Sequence, residues 1–181
     1  MSVTDLGKAD LSKLVDSLVD KTGGPNEPTE EQLRGLLDID GDGPFQFVNL
    51  LKYKDRAEYP KDHPLAKKEL SGEEAYAKYA AVAFDHVTKR GGRLTMANRV
   101  VMQVIGTDKS WDTVATMQYQ AVGAFLDMVN DADYAKSLVH RDAGLDCTEV
   151  IVTRPMITRP VGRFKFLIGK FLQRLSGKVR P

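Results

Sequence analysis

Residues 45–53 read FQFVNLLKY. Strand alternation sends Phe45, Phe47, Leu51 and Tyr53 to one side and Val48 and Leu50 to the other. Both sides are apolar, and Asn49 is the polar residue in the middle. A strand of this kind must be covered twice, so the rest of the chain is read as its cover.

Upstream, Leu11, Leu14, Val15, Leu18 and Val19 recur at three- and four-residue spacing and predict an amphipathic helix over residues 5–21. The run TGGPNEP (22–28) is a linker by its Gly and Pro content. Thr29 then opens a short helix: Gln32 stands at capping-box spacing, Glu30 and Glu31 suit the helix dipole, and Leu33, Leu36 and Leu37 form the apolar edge. DIDGDG (38–43) is half a calcium-loop pattern. Its twelfth position is Asn49 where a bidentate acid is needed, and a strand follows where a helix is needed, so a solvated turn is expected and no metal.

Downstream, residues 54–70 (KDRAEYPKDHPLAKKEL) are charged, contain Pro60 and Pro64, and predict a long surface loop. Ser71 caps a helix to about Arg90, which Gly91 and Gly92 stop. Residues 94–105 and 113–119 are strand-forming, with GTDKS (106–110) as a hairpin connection anchored by Trp111 and Asp112. Residues 121–129 and 132–139 are helical, and TEVIVT (148–153) is the last strand. The order strand, helix, strand, strand, helix, strand defines an α+β, ferredoxin-like βαββαβ core, a four-stranded antiparallel sheet with both helices on one face. The other face is left for a second subunit, so a homodimer is expected.

The runs PTEEQLRGLL, GPFQFVNLLKYK, AEYP, LSGEEAYAKYA, GGR, VIG, WDTVATMQY, AFLDM and DADY occur in that order. Together they resemble the bacterial family known as domain of unknown function 1330, over roughly residues 28–153. The resemblance implies a dimeric α+β barrel of two facing sheets. Relatives of that barrel include cofactor-independent monooxygenases and ligand-binding proteins, but the family has no established activity and supplies no catalytic residues to carry over. Three segments follow: 1–28, an N-terminal helix and linker; 29–155, the barrel domain; and 156–181, a basic tail.

All 25 acids lie within the first 153 residues, whereas eight of the 26 basic residues fall in 154–181 with no acid among them. The body is acidic and the tail basic. Cys147, the lone cysteine, has no disulfide partner and reads as an inert thiol in a reducing, cytoplasmic compartment. Charges near the N-terminus replace the apolar core of a signal peptide, and no run approaches the roughly 18 apolar residues of a membrane span.

Candidate chemistry rests on few residues. A buried Asn49 amide must find partners or cost about 1–3 kcal/mol, so it is a pinned structural contact or a ligand handle. His86, near the apolar stripe of its helix, suits a general base or a core-edge histidine bonded to a carbonyl. His140, with Arg141 and Asp142, is placed after the last helix at the barrel mouth, as a catalytic or binding residue; helix C-terminal charge is the simpler account of His140 and Arg141. Tyr119 offers a hydroxyl at a pocket rim or fills the core. His63 is expected to be exposed. No phosphate loop, nucleophile elbow or histidine-rich cluster occurs, so neither cofactor nor metal is expected.

In the tail, Val161, Phe164, Leu167, Ile168, Phe171, Leu172 and Leu175 share one side of a helical wheel opposite Arg163, Lys170, Gln173 and Arg174. Arg163, Phe164, Lys170, Phe171 and Arg174 are the candidate contacts. Such a helix suits docking on the acidic body or a partner. It equally suits an anionic membrane surface, where each basic residue contributes about 1 kcal/mol. Nucleic acid is disfavoured because the body is acidic and no stacking pattern accompanies the charge. Two functions remain. In the first, the dimer holds a small, mostly apolar molecule in the barrel, for cofactor-independent chemistry with Asn49, Tyr119 and His140. In the second, an interaction protein uses its C-terminal helix at a membrane or partner, peripheral to the cytoplasm.

Overall fold

The structure, a computed structural model, describes residues 7–19, 24–39, 43–106 and 109–155. The elements are α1 (Lys8–Val19), α2 (Glu30–Asp38), β1 (Phe45–Tyr53), α3 (Gly72–Lys89), β2 (Arg93–Arg99), β3 (Thr113–Tyr119), α4 (Val122–Val129), α5 (Ala132–Gly144) and β4 (Leu145–Thr153). The predicted tail helix, with Arg163, Phe164, Lys170, Phe171 and Arg174, lies outside the described residues, as do the ends of the predicted N-terminal helix, Asp40 to Asp42 of the calcium-like run, and Thr107 and Asp108.

The four strands form one antiparallel sheet in the order β2-β3-β1-β4, the split βαβ arrangement expected from the element order. Phe45 stands opposite Tyr119 and Asn49 opposite Ala115 on β3, while Val48 pairs with Ile151 and Leu50 with Glu149 on β4. Phe45, Phe47 and Leu51 are buried. Phe45 and Phe47 join the core formed by Val87 of α3, Leu126 and Met128 of α4 and Tyr134 of α5, together with Leu11 and Val15 of α1 and Leu33 and Leu36 of α2. Each such side chain contributes about 1.5–3 kcal/mol by leaving water. The opposite side, with Val48, Leu50, Val114 and Ile151, has no described helix over it.

Two expectations about element limits are corrected. The strand predicted over residues 94–105 ends at Arg99, because β3 is only seven residues long and pairing stops at Arg99 opposite Thr113. The last helix does not stop at Val139 but runs to Gly144, so His140, Arg141 and Asp142 lie within it. Both capping boxes form, Thr29 with Gln32 and Ser71 with Glu74.

Glycine decides how closely α3 and α5 approach. A Cβ on Gly144 would sit 2.4 Å from the Gly72 carbonyl oxygen, and one on Gly72 2.3 Å from that of Lys54. With hydrogens there, the Gly72 N–H donates to Lys54 O (3.0 Å) and the Lys54 N–H to Gly144 O (2.9 Å). This three-way contact sets the chain that leaves β1 against the end of α5.

Candidate functional site

Residues 54–70 contain no helix or strand, so their backbone groups need partners elsewhere. The Ala57 N–H donates to Leu70 O and closes the base of the loop, and the Glu58 N–H donates to Ala143 O and ties it to α5. Short turns, His63 N–H to Pro60 O and Ala66 N–H to His63 O, shape its far side. The result delivers Tyr59 and His63 to the flank of α5 at His140.

There the Tyr59 hydroxyl lies 2.9 Å from His140 Nδ1. The His63 ring stacks on Tyr59 with centroids 4.5 Å apart and planes 9° from parallel, and meets His140 edge-on at 5.7 Å. All three residues are half-buried. Burial, then the charges of His63 and Lys78, hold His140 below the usual histidine range. Burial also pushes the Tyr59 phenol up. At neutral pH the imidazole is therefore uncharged and the phenol protonated, so the phenol O–H donates to Nδ1 and the ring carries its proton on Nε2. The Leu65 N–H donates to His63 Nδ1 (3.2 Å), which places the proton of neutral His63 on Nε2 as well. Such an arrangement can accept a proton at Nδ1 through the phenol and donate a hydrogen bond from Nε2–H. His63 is thus not simply exposed, as its sequence context suggests; Tyr59 covers one face of its ring.

His86 occupies a different setting. It is buried in the last turn of α3. Its Nδ1 lies 3.1 Å from Arg90 Nη1; since a guanidinium only donates, Nδ1 accepts. Arg90 also donates to Asp127 (2.7 Å) and Asp131 (3.2 Å), and His86 Nε2 lies 3.5 Å from Asp133. Backbone N–H donation from Asp133, with Arg90 and His86 nearby, holds the Asp131 carboxyl below the usual range. This network clamps the end of α3 to the corner between α4 and α5.

The remaining sequence candidates are placed elsewhere. Asn49 shares by alternation the helix-covered side of β1, and its amide donates to Phe47 O and Ala115 O, both at 3.2 Å. Tyr119 is buried, stacked on Phe45 at 5.5 Å and edge-on to Phe125 at the same distance, and burial pushes its phenol far up. Three more tyrosines lie nearby: Tyr76, Tyr79 and Tyr134, the last two joined hydroxyl to hydroxyl at 2.7 Å. The charge of Arg141 acts on these three, while its guanidinium donates to the carbonyl of Asn26 and pins the linker to α5. Arg141 also borders the segment lining a cleft of about 370 Å³ that includes Asn26, Glu27, Lys54, Asp142 and Asp146. His140 is therefore brought together with Tyr59 and His63, not with Asn49 and Tyr119. The AEYP run contains Tyr59, and that was the one sequence signal pointing to it.

Burial, followed by Asp146, raises the Cys147 thiol, which keeps it protonated. Among the described residues, no helix is long and apolar enough to cross a membrane, and no group of three or more His, Cys, Asp or Glu could hold a metal ion.

The family model described as "Domain of unknown function (DUF1330)" matches residues 64–155. That match begins after β1, so the runs at 28–54 contribute to the resemblance but lie outside it. Two crystal structures are similar at 29% identity: the methylated RPA0582 protein, with a TM-score of 0.66, covering 77% of this chain and 99% of its own, and RPA0582 of Rhodopseudomonas palustris, a protein of unknown function, with a TM-score of 0.65 and coverages of 76% and 100%. A Dabb-family protein with a ferredoxin-like fold from Mesorhizobium loti is more distant, at 13% identity and a TM-score of 0.39 over 64% of this chain and 99% of its own. No curated protein matches the chain.

Proposed function

The chain belongs to the DUF1330 family, and we propose that it is a homodimer which binds a small, mostly apolar molecule beside Tyr59, His63 and His140 and accepts a proton from it there. The observation that carries this reading is the 2.9 Å contact between the Tyr59 hydroxyl and His140 Nδ1 in a half-buried aromatic setting. The stacked Tyr59 and His63 rings offer a flat apolar surface, and His140 Nε2–H offers a donor for a carbonyl or carboxylate oxygen. A proton leaving the bound molecule would pass to the Tyr59 oxygen as the phenol's own proton passes to Nδ1. The molecule is left as its conjugate base and His140 as imidazolium, with no cofactor needed for that step. The dimer is supported by the sheet side carrying Val48, Leu50, Val114 and Ile151, which one subunit leaves without a helix.

Native mass spectrometry of the purified protein tests the reading. A dimer with additional mass is expected, and His140→Ala and Tyr59→Phe should both lower retention of that mass. Equal retention in both variants would remove the site from the function, and a protein that carries no small molecule from any source or added ligand panel would remove the binding reading.

A further inference from the structure

After Arg99 the chain leaves the sheet, and its next residues, VVMQVI (100–105), carry no charge. Val101, Met102, Val104 and Ile105 are 94, 71, 81 and 92% exposed, so their side chains touch almost nothing in their own subunit. Isolated exposed apolar residues are ordinary; four within five positions are not. The base of this segment is held firmly. The Val100 N–H donates to Asp112 O, and the Asp112 carboxylate accepts from the Tyr53 N–H (2.8 Å) and from Lys52 (3.0 Å). On the returning leg Lys109 pairs with Glu149 of β4. By alternation Lys52 and Glu149 both lie on the sheet side with Val48 and Leu50, so the segment is anchored on the side that no described helix covers.

The same molecule carries a matching surface. β4 is the edge of the sheet, and its consecutive residues Val150, Ile151 and Val152 are 48, 48 and 40% exposed. Consecutive strand residues face opposite ways, so exposure of all three means that the edge itself is uncovered. Uncovered edges present unpaired N–H and C=O groups, which an extended segment can join as a further strand.

We infer that residues 100–105 of each subunit form an arm that lies along the β4 edge of a second copy. The occupant is a second copy because each subunit holds both halves of the contact, an uncharged apolar arm and an uncharged apolar edge. A two-fold axis then satisfies both at once and closes the assembly. A lipid surface would take the arm but would leave the edge unpaired. This inference rests on the dimer reading above and adds the element that makes the contact.

The test compares the full chain with Val104→Asp/Ile105→Asp by sedimentation across a concentration series. These side chains are exposed, so the subunit fold is expected to be retained, checked by circular dichroism. The expected result is a dimer whose dissociation constant rises by about tenfold or more in the variant. A second pair, Ile105→Cys with Val150→Cys in a Cys147→Ser background, should give disulfide-linked dimers that neither single cysteine gives. A wild-type monomer at tens of micromolar overturns the dimer reading and this inference together. A wild-type dimer that the aspartates leave unchanged, with no intersubunit disulfide, overturns the arm alone. So does an arm-dependent flotation of monomer with phosphatidylserine vesicles.

Discussion

His86 and His140 both sit on core helices, both lie near a tyrosine, and they have opposite surroundings. His86 is enclosed by Arg90, Asp131 and Asp133, where every polar atom answers a charge. His140 has a phenol and a second imidazole beside it, and the charges acting on it are those of His63 and Lys78. A charge-compensated histidine clamps elements together, whereas one held neutral by burial and like charge can accept a proton when a ligand brings one. The contrast separates a structural histidine from a functional candidate on the same fold.

The most damaging change to this contrast is Gly144→Ala, because a Cβ 2.4 Å from Gly72 O must displace backbone. It should destabilise by about 3 kcal/mol or more in urea unfolding and shift α5 with His140, leaving the Arg90 clamp with less effect. Arg90→Ala should cost about 2 kcal/mol by leaving two aspartates and His86 without their donor, while ligand retention stays at wild-type level in the folded fraction. Tyr59→Phe should cost about 1 kcal/mol and reduce ligand retention, the reverse balance. If Arg90→Ala lost the ligand and Tyr59→Phe kept it, the two histidines would have been assigned the wrong way round.

A smaller effect concerns pH. His140 is held below the histidine value of 6.5 in the fold, so the unfolded chain takes up its proton first as pH falls. The stability it contributes is complete above pH 6.5 and is lost as pH falls through the folded value. His140→Asn should therefore lose less stability than wild type between neutral pH and the acid side of 6.5, measured as urea midpoints. The smallest expected change is in Lys78→Gln, which should raise the His140 titration midpoint slightly by NMR; His63→Ala should raise it more, following the order of causes after burial.

Much of the fold was legible because it depends on near neighbours. The capping boxes at Thr29 and Ser71 join residues three apart, β1 announces itself by alternation, and Gly91 at φ 75° stops α3 where its sequence context predicts. Asn49 illustrates the limit. Its parity with Phe45 and Phe47 was readable, but the two carbonyls that satisfy it became visible only once β3 was beside β1. Residues 100–105 show another limit: β-forming chemistry predicts a strand, yet a strand requires a partner, and β3 has none left past Thr113.

From the sequence alone come the α+β class, the element order, the need for cover on both sides of Phe45–Tyr53, and the candidate status of His140. Tertiary structure decided what His140 touches, because Tyr59 is 81 residues away and reaches it only where the loop is tied to the end of α5. It also decided that Asn49 and Tyr119 serve the core. The physical reason is range: periodicity and capping are set by residues two to four positions apart, whereas a site is set by which long-range contacts the packed backbone permits, here by two glycines with no side chain between them.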